Sequence, residues 1–137
     1  MFFQTQKGNH FVVVQLDRSL TFPCVEYIRY VVNKSSRMYE NKYPVAVDCH
    51  HIQFADFTAA KGMSVLMYDY AKRDQLLIMW KAKPSLQRVL AGVVDPNERD
   101  SILHFSQGEK HLEQIIGSTE FSILNYLYKN YYIWETD

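Results

Sequence analysis

The strongest constraint on this chain is a set of short apolar runs with no wet face. Phe11-Val-Val-Val-Gln-Leu16 is β-branched and apolar at successive positions. A strand with one solvated side alternates apolar and polar residues, so this run reads as a strand covered on both sides. Pro44-Val-Ala-Val-Asp48 reads as a second buried strand, with Ile52-Gln53-Phe54 extending it after a kink near His50. Leu76-Leu-Ile-Met-Trp80 reads as a third, entered through the turn residues Arg73-Asp74-Gln75. Lys7-Gly8-Asn9 is a turn signal that makes Phe2–Gln6 a hairpin partner for the first run.

Between the runs the apolar period changes to that of a helix. Thr21-Phe22-Pro23 marks a helix start, because proline is tolerated in the first turn. Phe22, Val25, Ile28 and Val32 then form one stripe, and the polar stretch Lys34–Tyr43 is where that helix should end. From Phe57 onward, Ala59, Ala60, Met63, Leu66, Met67 and Tyr70 share a face. Pro84 opens a shorter helix with Leu86, Val89, Leu90 and Val93 as its apolar positions. Ile102–Phe105 suggests a short strand, and Ser106 with Glu109 has capping-box spacing for a helix carrying Leu112, Ile115 and Ile116. Strands alternating with helices of this length imply βαβ units with right-handed crossovers, hence an α/β fold with a mainly parallel sheet.

At 137 residues and 16.2 kDa the chain fits one domain. The 15 basic and 15 acidic residues cancel, which argues against a nucleic-acid partner, since phosphate neutralisation calls for a basic face. Cys24 and Cys49 form no C-x-x-C pair and read as reduced, buried thiols. No apolar run approaches the ~20 residues that span a bilayer. Met1-Phe2-Phe3 runs straight into polar residues, so no signal peptide is evident, and a start just before a strand reads as a boundary inside a longer chain.

Catalytic signatures are missing: there is no phosphate loop, no G-x-G-x-x-G fingerprint and no G-x-S-x-G elbow. Asp48-Cys49-His50-His51 invites a metal reading, but on a strand His50 and His51 diverge and no second ligand pair stands at a usual spacing. No catalytic residue, metal or cofactor is therefore assigned. Asp56-Phe57-Thr58-Ala59 lies where a strand gives way to a helix. Asp56 or Thr58 can serve there as a helix cap, or the pair can mark an anion-binding or phosphorylatable spot at the positive end of the helix dipole. At the C-terminus Phe121, Tyr126, Tyr128, Tyr131, Tyr132 and Trp134 crowd together. Helical spacing groups Leu124, Leu127, Tyr128 and Tyr131, whereas strand alternation groups Tyr126, Tyr128 and Asn130; the stretch folds back on the domain, forms a poorly ordered tail, or presents an aromatic surface to another protein.

The order Leu20-Thr21-Phe22-Pro23, then Val45-Ala46-Val47-Asp48, then Asp56-Phe57-Thr58-Ala59-Ala60-Lys61-Gly62 resembles the STAS domain, in the version found in SulP/SLC26 sulfate and anion transporters. Leu86-Gln87-Arg88-Val89-Leu90 and Glu109-Lys110-His111-Leu112 match its later helices, so the likeness spans roughly residues 8–116. It implies a STAS-like (SpoIIAA-like) mixed sheet with interspersed helices over residues 1–116, and an aromatic-rich tail over 117–137. It further implies a non-catalytic module at the cytoplasmic face of a membrane, joined to an upstream membrane domain. That module would support assembly and transport, dimerise and meet regulatory proteins. Some members are said to bind nucleotides, though a phosphate loop is missing here. The short Lys34–Tyr43 connection points to a sulfate-transporter branch without the long insertion of many animal members. The alternative within the resemblance is a free-standing anti-sigma factor antagonist, whose Asp-Ser-Ser-Gly motif is phosphorylated by a kinase-like partner. Thr58 stands at the position of that serine, with Phe57 and Ala59 in place of its small neighbours.

Overall fold

The computed structural model describes residues 2–5, 8–16 and 20–118. In chain order the elements are β1 (Phe2–Gln4), β2 (His10–Gln15), α1 (Phe22–Met38), β3 (Val45–Asp48), α2 (Phe57–Lys72), β4 (Leu77–Trp80) and α3 (Pro84–Gly92). A single 3-10 turn (Pro96–Glu98), α4 (Arg99–Ile102), β5 (Phe105–Ser106) and α5 (Glu109–Ser118) complete the described part. All three double-sided runs are strands, and they lie side by side in one sheet of order β1-β2-β3-β4-β5. β1 pairs antiparallel with β2, and every later pairing is parallel. Gly8, at φ 94, occupies the tight turn of the hairpin, where a side chain would be strained.

The topology sorts the helices. Parallel strands laid down in one direction, joined by right-handed crossovers, put every crossover helix on the same face. Val25, Ile28 and Val32 of α1, the Ala59–Tyr70 face of α2, and Leu86 and Leu90 of α3 accordingly pack on Val12, Val14, Val45, Val47, Leu77 and Met79. The alternate residues Phe11, Val13, Ala46 and Ile78 point the other way, onto Leu112 and Ile116 of α5. Gly62 lets α1 and α2 approach closely, since a Cβ there would stand 2.9 Å from the Val25 Cγ2.

Several expectations are corrected. Ile52–Phe54 does not extend β3. The Asp48 carboxylate accepts from the His50 N–H at 3.0 Å and the Ile52 N–H donates back to the Cys49 carbonyl at 3.0 Å, which turns the chain away. The next parallel contact is instead a bridge between Leu20 and Ala55. Ile102–Phe105 is not a strand: Ile102 ends α4 and pairing begins at Phe105, because Asp95 and Pro96 start a helical stretch that runs on to Ile102. Ser106 and Glu109 form no capping box. Ser106 is committed to β5 and its hydroxyl donates to the Gly108 carbonyl, leaving Glu109 as the first helical residue. The first helix, by contrast, ends at Met38, inside the polar Lys34–Tyr43 stretch, as the sequence predicts. Ser36 is buried there, donating to Asn41 at 2.7 Å and accepting from the Gln75 side chain at 2.8 Å, so its hydroxyl does not compete with the backbone.

Candidate functional site

The sequence places its most chemically suggestive residues at the start of α2, and the structure makes this corner a defined object. Ala55 and Asp56 are tied to the chain before α1. The Leu20 N–H donates to the Phe54 carbonyl and the Asp56 N–H donates to the Leu20 carbonyl, each at 3.0 Å. Asp56 is the helix cap: its carboxylate accepts from the Ala59 N–H at 2.8 Å, and its carbonyl accepts from the Ala60 N–H. The first four N–H groups of a helix lack intrahelical partners. Of these, the Ala59 N–H goes to the Asp56 carboxylate and the Asp56 N–H to the Leu20 carbonyl, which leaves those of Phe57 and Thr58 at the positive end of the dipole. Thr58 is exposed one residue into the helix. A phosphate on its hydroxyl would lie near those two groups but also near the Asp56 carboxylate, so attraction and repulsion compete there.

Two aromatic side chains at this corner are unusually open. Phe57 is 62% and Phe54 56% exposed, and the Lys61 ammonium lies 5.5 Å from the Phe57 ring centre. Lys83, just before α3, reaches back to the Gln53 side chain at 2.7 Å. Phe54 escapes a reading of periodicity because it sits in an irregular loop.

The Asp48–His51 cluster resolves differently. His50 and His51 lie in the turn after β3, exposed, with ring centres 4.1 Å apart, so the expected divergence on a strand is corrected. Cys49 is fully buried, donates to the Val47 carbonyl, and has its thiol pushed well up by burial and by the adjacent Asp48 carboxylate. A thiol held protonated in this way is a poor nucleophile and a poor metal ligand. Among the described residues no group of three or more His, Cys, Asp or Glu could hold a metal ion. Cys24 is partly buried and also free.

Two hollows remain. One, of about 310 Å³, lies beside α5 on the sheet face opposite the crossover helices, with Phe3, Phe11, Val13, Trp80 and Leu112 as apolar lining and Gln15, Asp48, Lys81, Glu109 and Glu113 around them. Lys81 folds its ammonium to 4.3 Å from the Trp80 ring centre. The other, about 230 Å³, lies at the opposite end of β4 between α2 and α4, and includes Tyr70, Gln75 and His104. Burial lowers the His104 pKa and raises that of the Tyr70 phenol. Phe121, Tyr126, Tyr128, Tyr131, Tyr132 and Trp134 lie outside the described residues. No helix among the described residues is long and apolar enough to cross a membrane.

Comparison with known proteins places this geometry. No family model matches the sequence. Over 116 residues, 81% of this chain, it is 30% identical to the sodium-independent sulfate anion transporter of Bos taurus. The chain spans 18% of that relative's length. Among solved structures it resembles the murine solute carrier 26 member A9 anion transporter in its inward-facing state. That likeness has a TM-score of 0.65 and 14% identity, over 80% of this chain and 18% of the transporter. A Thermotoga maritima protein assigned as an anti-sigma factor antagonist matches with a TM-score of 0.64 and 8% identity, over 85% of this chain and 93% of that one. At such identities the two structures speak for the fold alone.

Proposed function

We propose, from the premise that this chain belongs to the SulP/SLC26 group as a STAS domain, that it is the cytoplasmic regulatory module of a sulfate or anion transporter. The observation that carries this reading is the 30% identity with the bovine sulfate anion transporter across most of the chain. The module performs no chemistry of its own. It is a rigid α/β body at the end of a membrane domain, where it supports assembly, the pairing of two copies and the control of transport. The start of α2 is its regulatory corner, with Phe54 and Phe57 supplying apolar contact and Asp56 and Thr58 the charge-sensitive edge. Exposed aromatic side chains beside a dipole-positive helix end suit a protein contact that an added charge can weaken.

The test is sulfate uptake into cells expressing the whole transporter, with surface abundance measured alongside. Phe57→Lys should lower uptake per surface molecule several-fold while leaving the isolated domain's thermal unfolding nearly unchanged, because Phe57 is exposed. Thr58→Asp should shift uptake and Thr58→Ala should not. If neither Phe57→Lys nor Thr58→Asp alters uptake, abundance or assembly, the corner is not regulatory. The exposed Thr58 hydroxyl also keeps the free-standing switch reading testable. In that case Thr58→Asp would abolish capture of a soluble kinase-like partner, and no membrane-bound form would exist.

A further inference from the structure

The two faces of the sheet are covered unequally, and the residue that ends the described chain lies beside the thinner side. Strand alternation puts Phe3 of β1 next to Phe11 of β2, in register and with ring centres 5.8 Å apart, on the α5 face. Phe3 is still 42% exposed there, whereas Phe2, on the helical face, stacks between His10 and Tyr39. Next to this pair, the about 310 Å³ groove runs up to the row Gln15, Asp48 and Trp80, which stand side by side at the ends of β2, β3 and β4. The indole N–H of Trp80 is buried and has no hydrogen-bond acceptor among the described residues. An aromatic floor with carboxylates and an amide at its margin is an amphipathic surface with acceptors to spare.

The chain leaves α5 at the correct place to cover it. A Cβ on Gly117 would stand 3.6 Å from the Asn9 side chain, so the end of α5 abuts the β1–β2 turn. Gln4, which pairs with His10 beside that turn, lines the groove. Residues 119–137 follow, and they carry Phe121, Tyr126, Tyr128, Tyr131, Tyr132 and Trp134. Tyrosine needs an apolar bed for its ring and a partner for its hydroxyl, which is the combination this groove offers. A segment tethered this closely acts at an effective concentration of millimolar order, well above that of any second copy in dilute solution.

We propose that residues 119–137 dock in cis on the groove formed by Phe3, Phe11 and Trp80, covering the open face of the sheet. The reading is independent of the regulatory role of the α2 corner. It gives the aromatic tail a surface on its own domain rather than on another protein.

Limited chymotrypsin digestion of the 137-residue chain tests it, because every aromatic residue of the tail is a cleavage site. The tail should resist cleavage in the wild-type chain. Phe3→Lys should make tail cleavage about tenfold faster, since proteolysis follows the population of the open form. Phe3 is exposed enough that this change should leave the fold intact, and circular dichroism checks that. A second variant, Glu113→Lys, changes the groove's margin without touching the floor and should accelerate cleavage less. Tail cleavage at equal rates in wild type and Phe3→Lys would overturn the proposal. So would protection that appears only as concentration rises together with a dimer in sedimentation, which would assign the groove to a second copy.

Discussion

The same strands present two unlike faces. On one, Val12, Val14, Val45, Val47, Leu77 and Met79 are sealed under α1, α2 and α3, and the side chains that meet them are almost entirely buried. On the other, Phe11, Val13, Ala46 and Ile78 meet essentially one helix, and Phe3 and Trp80 stay partly open beside it. Neighbouring residues of one strand thus work under different rules. Consecutive strand order forces this inequality, since every right-handed crossover lands on one side. The sealed face carries stability, while the other face and the α2 corner keep large apolar side chains, Phe3, Phe54 and Phe57, exposed.

The largest effect expected from that contrast is on folding stability. Ile28→Ala, on the sealed side at 1% exposure, should cost about 2–5 kcal/mol in urea unfolding, whereas Phe3→Ala should cost under about 1 kcal/mol. Equal costs would dissolve the distinction between the faces. Gly62→Val should be next, at about 1–3 kcal/mol, because its Cβ would press within 2.9 Å of a stiff valine methyl. The partner change Val25→Ala should recover part of that loss, and simple additivity would show that the α1–α2 contact is not what demands glycine. Asp56→Ala should cost ~1 kcal/mol through the lost cap, with Asp56→Asn nearly neutral.

The smallest effect is a pH dependence. Burial lowers the His104 pKa from the ordinary value of 6.5, so the unfolded chain binds more protons than the folded one between the two values. Stability should therefore be intact above about pH 6.5 and decline as pH falls from there towards the folded pKa. His104→Gln should flatten that slope in thermal scans at pH 5 to 7. An unaltered slope would assign the acid sensitivity to other groups.

Much of the sealed face was legible in the sequence. Ala59, Ala60, Met63, Leu66, Met67 and Tyr70 form the buried face of α2, as helical spacing requires, and Val25, Ile28 and Val32 do the same for α1. These positions are read correctly because burial on one side imposes a period. Where no period operates, reading failed. Ile52–Phe54 looked like strand, yet a carboxylate–backbone bond at Asp48 turns the chain before it. Ser106 and Glu109 have the spacing of a capping box, but tertiary pairing of β5 claims the serine. At the candidate site, a cap at Asp56 or Thr58 was legible from their place before an apolar period, and Asp56 is the one that caps. The openness of Phe54 and Phe57 was not, because an exposed phenylalanine and a core one are spelled alike.

The most direct test of the central claim is the size and membrane fractionation of the native protein, followed with an antibody raised against this domain. The account predicts a band several times larger than 16.2 kDa, released from membranes only by detergent. A soluble band near 16 kDa would contradict it and make phosphorylation of Thr58 the next question.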